Sequence, residues 1–276
     1  RLDIAAGAFG GKHQASSRGG KHEPVLFVHG VSSRAGEMMK KAAGYFKTQG
    51  YHQSELYATT YENGGKGDKT SWTKYNMKCS SVKQVRAMMV AVHEYTKRKL
   101  DIVAFSLGVP IARKAILGGR CVDTNEQLGK PLTHIIDTFV GVAGPNEGVA
   151  PVVGGVPLAG CALFPLMPIC NPQDGLYSGV CPIKSKFLVD IERKRKYEGK
   201  YIYTIGSTQD EIVGHQVCGK VTTRIPHQNG EKLYKNGMKH NQVSLYTTVL
   251  YQTCISGILQ VLQNPVENGS RSRRYL

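Results

Sequence analysis

The stretch Asp101-Ile-Val-Ala-Phe-Ser-Leu-Gly-Val-Pro-Ile-Ala-Arg-Lys-Ala-Ile116 changes character at Ser106. Residues 101–105 are typical of a buried strand, and residues 107–117 are typical of a helix that ends at Gly118-Gly119. Small residues, Ala104 and Gly108, stand two positions before and two positions after the serine. The stretch therefore predicts a strand that turns sharply into a helix, with a hydroxyl at the turn.

Ala104 to Gly108 is a nucleophile elbow, G-x-S-x-G, with alanine in place of the first glycine. Small neighbours let the backbone fold tightly under the serine, and the helix that follows directs free N–H groups at a developing oxyanion. We therefore predict Ser106 as a nucleophile and the backbone N–H of Leu107 as one oxyanion donor.

A second oxyanion donor is expected from the loop that follows the first predicted strand, Val25–Val28. The loop reads His29-Gly-Val-Ser32, and the N–H of Val31 is the candidate donor. We expect the ring of His29 to brace this loop by a hydrogen bond.

A nucleophilic serine needs an acid and a base, which follow it in the chain order acid, then histidine. Asp210 lies in a predicted loop after the strand at 201–205 and is the predicted acid, with Glu211 as the alternative. His240 precedes the last predicted helix, 242–262, and is the predicted base. We expect a histidine inside that helix to be unable to reach the serine.

Two other histidines follow Asp210, at positions 215 and 227. Both lie in polar stretches, and we expect them to face solvent. Nothing in the spacing of the cysteines suggests a zinc site.

Apolar strand segments alternate with helical ones along the chain, which favours an α/β fold with a mostly parallel sheet covered on both faces. The predicted strands are 25–28, 56–61, 100–105, 139–143 within the segment 134–144, and 201–205; the predicted helices are 34–48, 82–96, 107–117 and 242–262. One domain is expected over 24–262, between a loosely attached N-terminal arm, 1–23, and a basic C-terminal tail, 263–276.

The insertion at 146–182 interrupts this alternation with many glycines, prolines and apolar residues, and with the cysteines at 161, 170 and 181. Two interpretations stay open. The insertion forms a lid or an apolar wall over a site, or it is a disulfide-bonded extension of the core.

The chain of 276 residues carries 36 Lys and Arg against 20 Asp and Glu, a net charge of +16. This charge predicts attraction to anionic lipid surfaces or glycans. The basic residues are scattered without a recognition motif, so nucleic acid is not an expected partner. No apolar run reaches the roughly 18 residues of a membrane span.

Seven cysteines without a Cys-x-x-Cys pair are typical of a secreted protein with disulfides. Their odd number leaves at least one thiol free or paired between chains. Asn268-Gly-Ser270 is a glycosylation sequon that agrees with export. The chain begins at Arg1, so we expect a mature protein without its targeting segment.

With these motifs, the chain resembles the class 2 lipases of the α/β-hydrolase fold, and most of all their nematode secreted branch. The motifs are VLFVHG at 25–30, MKCSSVKQVR at 77–86, DIVAFSLGVPIARKAILGG at 101–119, DTFVGVAGPNEG at 137–148, GSTQDEIV at 206–213 and MKHNQV at 238–243.

The resemblance implies ester hydrolysis through an acyl-enzyme and without a cofactor, with Ser106, Asp210 and His240 as catalytic residues and Val31 and Leu107 as oxyanion donors. The sequence departs from the family at Asn146-Glu-Gly148, where relatives tend to carry Asn-His-Gly, and the insertion that follows is long.

Three functions are carried forward. The first is a secreted lipase or esterase that acts on acylglycerols or related esters. The second is a polyester depolymerase that uses the same triad. The third is a non-catalytic protein whose positive charge binds lipid or another anionic surface.

Overall fold

A computed structural model of the chain describes residues 6–11, 21–64, 73–150, 152–153, 156–157, 161, 166–176 and 180–246. Seven strands form one sheet, and they are β1 (Ala8–Phe9), β2 (Val25–Val28), β3 (Leu56–Thr59), β4 (Leu100–Phe105), β5 (Ile136–Val142), β6 (Tyr201–Ser207) and β7 (Gly230–Tyr234). Their order across the sheet is β1-β3-β2-β4-β5-β6-β7. All neighbours are parallel except β1, which pairs antiparallel with β3 at one edge.

Five α-helices lie in the described residues: α1 (Lys40–Thr48), α2 (Cys79–Thr96), α3 (Gly108–Leu117), α4 (Lys186–Glu192) and α5 (His240–Tyr246). A π-helical turn, Ala35–Met39, leads into α1, and short 3-10 turns cover Gln53–Glu55, Thr133–Ile135 and Pro168–Cys170. Three two-stranded ribbons pair Gly119–Arg120 with Gln127–Gly129, Val152–Val153 with Val156–Pro157, and Gln216–Val217 with Lys220–Val221.

Helices cover the sheet on both faces. Leu26 and Val28 of β2 point into an apolar cluster with α2, α3 and α4, while Val25 and Phe27 point into a second cluster with α1 and α5. This separation follows from the alternation of side chains along a strand. The α/β class with a mostly parallel sheet is therefore confirmed.

Strand β7 was missed by the sequence reading, which placed no element at Gly230–Tyr234. Its residues read Gly-Glu-Lys-Leu-Tyr, and all five are half-buried. An edge strand has only one paired side, so it tolerates charged residues that a buried parallel strand does not.

The N-terminal arm is not loosely attached over residues 6–11. Ala8 pairs with Thr59 across the sheet edge, and the N–H of Thr60 donates to the carbonyl of Gly7 at 2.7 Å. The N–H of Gly36 donates to the carbonyl of Ala6 at 2.8 Å. The arm thus adds an edge strand to the sheet and contacts the π-helical turn.

The described part of the insertion is anchored at its C-terminal half. Ile169 is buried. The N–H of Met77 donates a hydrogen bond to the carbonyl of Asp174 at 2.7 Å. Leu166 is 96 % exposed. Residues 166–176 therefore form a wall packed against the chain before α2, whereas 151, 154–155, 158–160, 162–165 and 177–179 lie outside the described residues.

Three disulfides confirm the prediction that the cysteines form disulfide bonds. They join Cys79 to Cys121, Cys161 to Cys170, and Cys181 to Cys218. The seventh cysteine, Cys254, and the tail at 263–276 lie outside the described residues. Within the described ranges, none of the helices has the length and apolarity that a membrane span requires.

A buried carboxyl lies at the start of β4. Asp101 is 1 % exposed, and its Oδ1 accepts a hydrogen bond from the N–H of Thr138 at 3.2 Å. Burial, together with the nearby charge of Asp137, raises the pKa of Asp101 to about 8. The folded protein therefore keeps this group protonated at neutral pH.

We expect Asp101→Asn to gain stability over the wild type as the pH rises. The unfolded carboxyl ionises near its ordinary pKa and the folded one near 8, so ionisation destabilises the wild type across that window, by about 1.4 kcal/mol per pH unit. Thermal unfolding at pH 5, 7 and 9 measures the difference. Glu94→Gln, which changes an exposed carboxylate, is the control and should show no such trend.

Candidate active site

The turn between β4 and α3 places Ser106 in an unusual backbone conformation. Its φ is +53°, a region that residues other than glycine enter at a cost. The N–H of Ser106 donates to the carbonyl of Val142 at 2.8 Å, which ties the turn to the end of β5. The predicted elbow is therefore present, with the serine directly after the last residue of β4.

Close contact between the elbow and the end of β2 explains the small residues. A Cβ on Gly108 would lie 2.3 Å from the carbonyl oxygen of His29, and a Cβ on Gly30 would lie 3.0 Å from the Cβ of Ser106. The first separation is too short for any side chain. Glycine at 108 therefore lets α3 begin directly beneath the nucleophile.

Three residues remote in sequence form one hydrogen-bonded chain. His240 Nε2 lies 2.9 Å from Ser106 Oγ, and His240 Nδ1 lies 2.7 Å from Asp210 Oδ2. Because a carboxylate only accepts, Nδ1 carries the proton and Nε2 is free to accept from the serine hydroxyl. All three side chains are buried, so water does not compete for these bonds.

The loop after β6 fixes the orientation of the acid. Asp210 Oδ1 accepts from the N–H groups of Ile212 and Val213, at 3.0 and 2.8 Å, and this leaves Oδ2 for the imidazole. Asp210, and not the alternative Glu211, therefore contacts the imidazole of His240. Glu211 instead accepts the backbone N–H of His240 through Oε2 at 3.0 Å, a contact that sequence reasoning did not find.

His240 is the first residue of α5 and does not precede the helix, so the expectation that a helical histidine could not reach the serine is wrong. Side chains in a helix lean toward its N-terminus, and the first residue therefore projects beyond the helix end. Phe105 packs against the imidazole with ring centroids 5.0 Å apart. His227 is exposed, as predicted, whereas His215 is half-buried.

The two predicted oxyanion donors belong to the turns at Ser106 and Gly30. Leu107 directly follows Ser106, and Val31 directly follows Gly30, whose α-carbon faces the Ser106 side chain. Within the described ranges, neither the N–H of Leu107 nor that of Val31 donates a hydrogen bond. Both donors are therefore available for an oxygen at the serine.

His29 braces the oxyanion loop, as predicted. Its Nδ1 donates to the carbonyl of Gly30 at 2.7 Å, and its Nε2 accepts from the N–H of Tyr61 at 3.2 Å. The two rings stack with centroids 4.1 Å apart. Burial lowers the pKa of His29 to about 4, so the ring stays neutral and takes a structural role.

The departure at Asn146-Glu-Gly148 forms internal contacts. Asn146 accepts from Arg113 Nη1 at 3.0 Å and donates to the carbonyl of Thr223 at 3.1 Å. The carboxylate of Glu147 forms an ion pair with Lys184. Glutamate at 147 thus joins the loop after β5 to the segment before α4.

One group of potential metal ligands occurs in the part of the chain that the structure describes, and it consists of Cys79, Cys121 and Asp123. The two sulfurs are joined in a disulfide, and the carboxylate of Asp123 accepts the N–H of Cys79 at 2.9 Å. These atoms are already occupied by contacts within the chain.

The fold and the arrangement of these residues define an α/β-hydrolase. Among solved structures of this fold, the mature lipase BlEst2 of Bacillus licheniformis is 13 % identical, with a TM-score of 0.54 over 90 % of this chain and 96 % of that chain. A structure of the metagenome-derived lipolytic enzymes LipS and LipT is 14 % identical, with a TM-score of 0.52 over 87 % and 94 %. At these identities the likeness shows the fold.

The class 2 lipase family matches residues 22–252, and the chain belongs to this family. No curated protein matches the chain. Family and fold together identify a lipolytic ester hydrolase.

Replacement of Gly108 by alanine tests the close contact beneath the elbow. The added methyl would overlap the carbonyl of His29, so we expect a loss of about 1–3 kcal/mol of stability, with loss of activity. Gly44 of α1 has no atom within 4 Å of its added Cβ, so Gly44→Ala is the control and should stabilise by about 0.5–1 kcal/mol. Urea unfolding of both variants gives the comparison, and equal stability would contradict the proposed constraint.

Proposed function

We propose that the protein is a serine carboxylic-ester hydrolase with Ser106 as nucleophile, His240 as base and Asp210 as the acid that orients it. The observation that carries the proposal is the continuous chain of hydrogen bonds from Asp210 Oδ2 through the imidazole to Ser106 Oγ. A non-catalytic surface-binding protein has no need of this ordered contact.

The geometry supports a two-stage reaction. The Ser106 hydroxyl attacks the ester carbonyl while its proton passes to His240 Nε2, and the N–H groups of Val31 and Leu107 bind the oxyanion. The imidazolium then protonates the leaving alcohol, and the acyl group remains on Ser106. Water, deprotonated by His240, attacks the acyl-enzyme and releases the fatty acid.

We propose acylglycerols and related esters as substrates, because the chain belongs to a lipase family. Export is supported by the three disulfides, which persist in oxidising compartments. We assign the nematode secreted branch on the motifs quoted above. The catalytic domain is proposed to span 24–262, with 1–23 and 263–276 as its terminal segments and the insertion at 146–182 as a wall or lid beside the acyl site.

The net charge of +16 supports attraction to anionic lipid surfaces or glycans. Exposed basic residues at 193–196 agree with this attraction. The charge concentrates the enzyme near its substrate and takes no part in bond cleavage.

We expect Ser106→Ala to abolish hydrolysis of p-nitrophenyl butyrate and to abolish labelling by a fluorophosphonate probe, because both require the serine oxygen as nucleophile. His227→Ala removes an exposed histidine and serves as the control, with activity like the wild type. Labelling of the alanine variant at the wild-type rate would refute the assignment of the nucleophile. Absence of labelling in the wild type would favour the non-catalytic binding protein.

Asp210→Asn and Glu211→Gln form a matched pair that separates two neighbouring carboxylates. We expect Asp210→Asn to lower kcat by about 10³–10⁴-fold, because an amide no longer holds the imidazole in the required tautomer. Glutamine at 211 can still accept the His240 N–H through its carbonyl, so kcat should fall by less than about 10-fold. Steady-state kinetics measures both, and similar losses would contradict the distinct roles.

A further inference from the structure

A cavity of about 800 Å³ lies at the start of α1, and we name it the α1 cavity. It is lined by residues 31–33, which follow β2, and by residues 36–38 of the π-helical turn. Lys40 and Lys41 at the start of α1, and Asn241, complete the lining. Val31 is a proposed oxyanion donor, and Asn241 directly follows the proposed base. The cavity therefore adjoins the two segments that carry these proposed groups, and a substrate group bound in it would lie next to the reacting ester.

The rim of the α1 cavity is positively charged. Lys40 and Lys41 are exposed, and within the described ranges neither ammonium group has a carboxylate within 4.0 Å. The acidic residue of the lining, Glu37, lies 3.9 Å from the guanidinium of Arg34, which offsets its charge. The lining thus contributes two lysines that have no counter-ion among the described residues.

Ser32 adds a free hydroxyl to the same wall. Its backbone has φ +52°, a strained conformation for serine, and its buried Oγ has no hydrogen-bond partner among the described residues. A buried hydroxyl without a partner costs free energy, and strained backbone is retained where the surroundings or the function require it. The hydroxyl can donate to an anionic oxygen that enters the cavity.

We propose that the α1 cavity binds a phosphate in the alcohol portion of the substrate, so that the enzyme cleaves fatty acyl esters of glycerophosphates. This inference rests on the proposed function and names its substrate class. In a glycerophospholipid, the phosphate is attached one carbon away from the carbon that carries the neighbouring ester. Hydrolysis consumes one water and yields a fatty acid and a lysophospholipid, while the phosphate stays in place.

Two lysines near a doubly charged phosphate at an exposed rim are expected to raise kcat/KM for the phosphate-bearing ester about 10-fold over that for an ester without phosphate. Val31 and Met38 provide apolar surface in the same cavity, which suits the glycerol carbons. Phosphate binding by Lys40 and Lys41 differs from general attraction by the net charge, because it depends on these two positions.

The test compares kcat/KM for two soluble esters, dibutyrylglycerophosphate and tributyrin, below their aggregation concentrations. The two differ in one group, a phosphate against a third butyryl ester, and neither presents a lipid surface. We expect the ratio to be about 10 in the wild type and to fall toward 1 in the Lys40→Ala, Lys41→Ala double variant. Ser32→Ala is a second, independent variant and should lower the ratio as well.

Lys47→Ala is the matched control, since Lys47 is an exposed lysine of α1 that does not line the cavity. A ratio that falls equally in Lys47→Ala, or that is near 1 in the wild type, would overturn the phosphate site while leaving ester hydrolysis intact. If neither ester is hydrolysed and the fluorophosphonate probe does not label Ser106, the proposed function itself fails. Circular dichroism and thermal unfolding of each variant show that a lowered ratio does not arise from misfolding.

Discussion

The contact between the end of β2 and the turn after β4 is the constraint on which the site depends. Gly108 allows the helix to start against the carbonyl of His29, and Gly30 allows the oxyanion loop to lie against Ser106. The strained φ of the serine is a result of this crowding, offset by its hydrogen bond to Val142. A larger residue at either glycine would push the turn at Ser106 away from the end of β2.

Parallel strands bring the rest of the site to the same edge of the sheet. The turn after β4 carries Ser106, the loop after β6 carries Asp210, and α5, after β7, begins with His240. Each of the three side chains therefore belongs to a segment that follows a different strand. The hydrogen bonds among them join three parts of the chain that are remote in sequence. The buried setting strengthens these bonds because the local dielectric is low.

Local patterns in the sequence predicted much of this arrangement, and three-dimensional contacts account for the rest. The strand and helix around Ser106 follow from apolar periodicity and small residues, and the acid and base follow from their places in chain order. Strand β7 was missed because its charged residues resemble a loop. The contact of Glu211 with the His240 backbone and the partnerless hydroxyl of Ser32 depend on neighbours that no local pattern specifies.

The disulfides lie outside the segments that carry Ser106, Asp210 and His240. None of the six bonded cysteines lies in the elbow, in the loop at 208–215 or at the start of α5. Hydrogen bonds and apolar packing hold Ser106, Asp210 and His240 in place, whereas the cross-links join other segments of the chain. Reduction would therefore release covalent ties elsewhere in the chain and remove none from the segments that carry Ser106, Asp210 and His240.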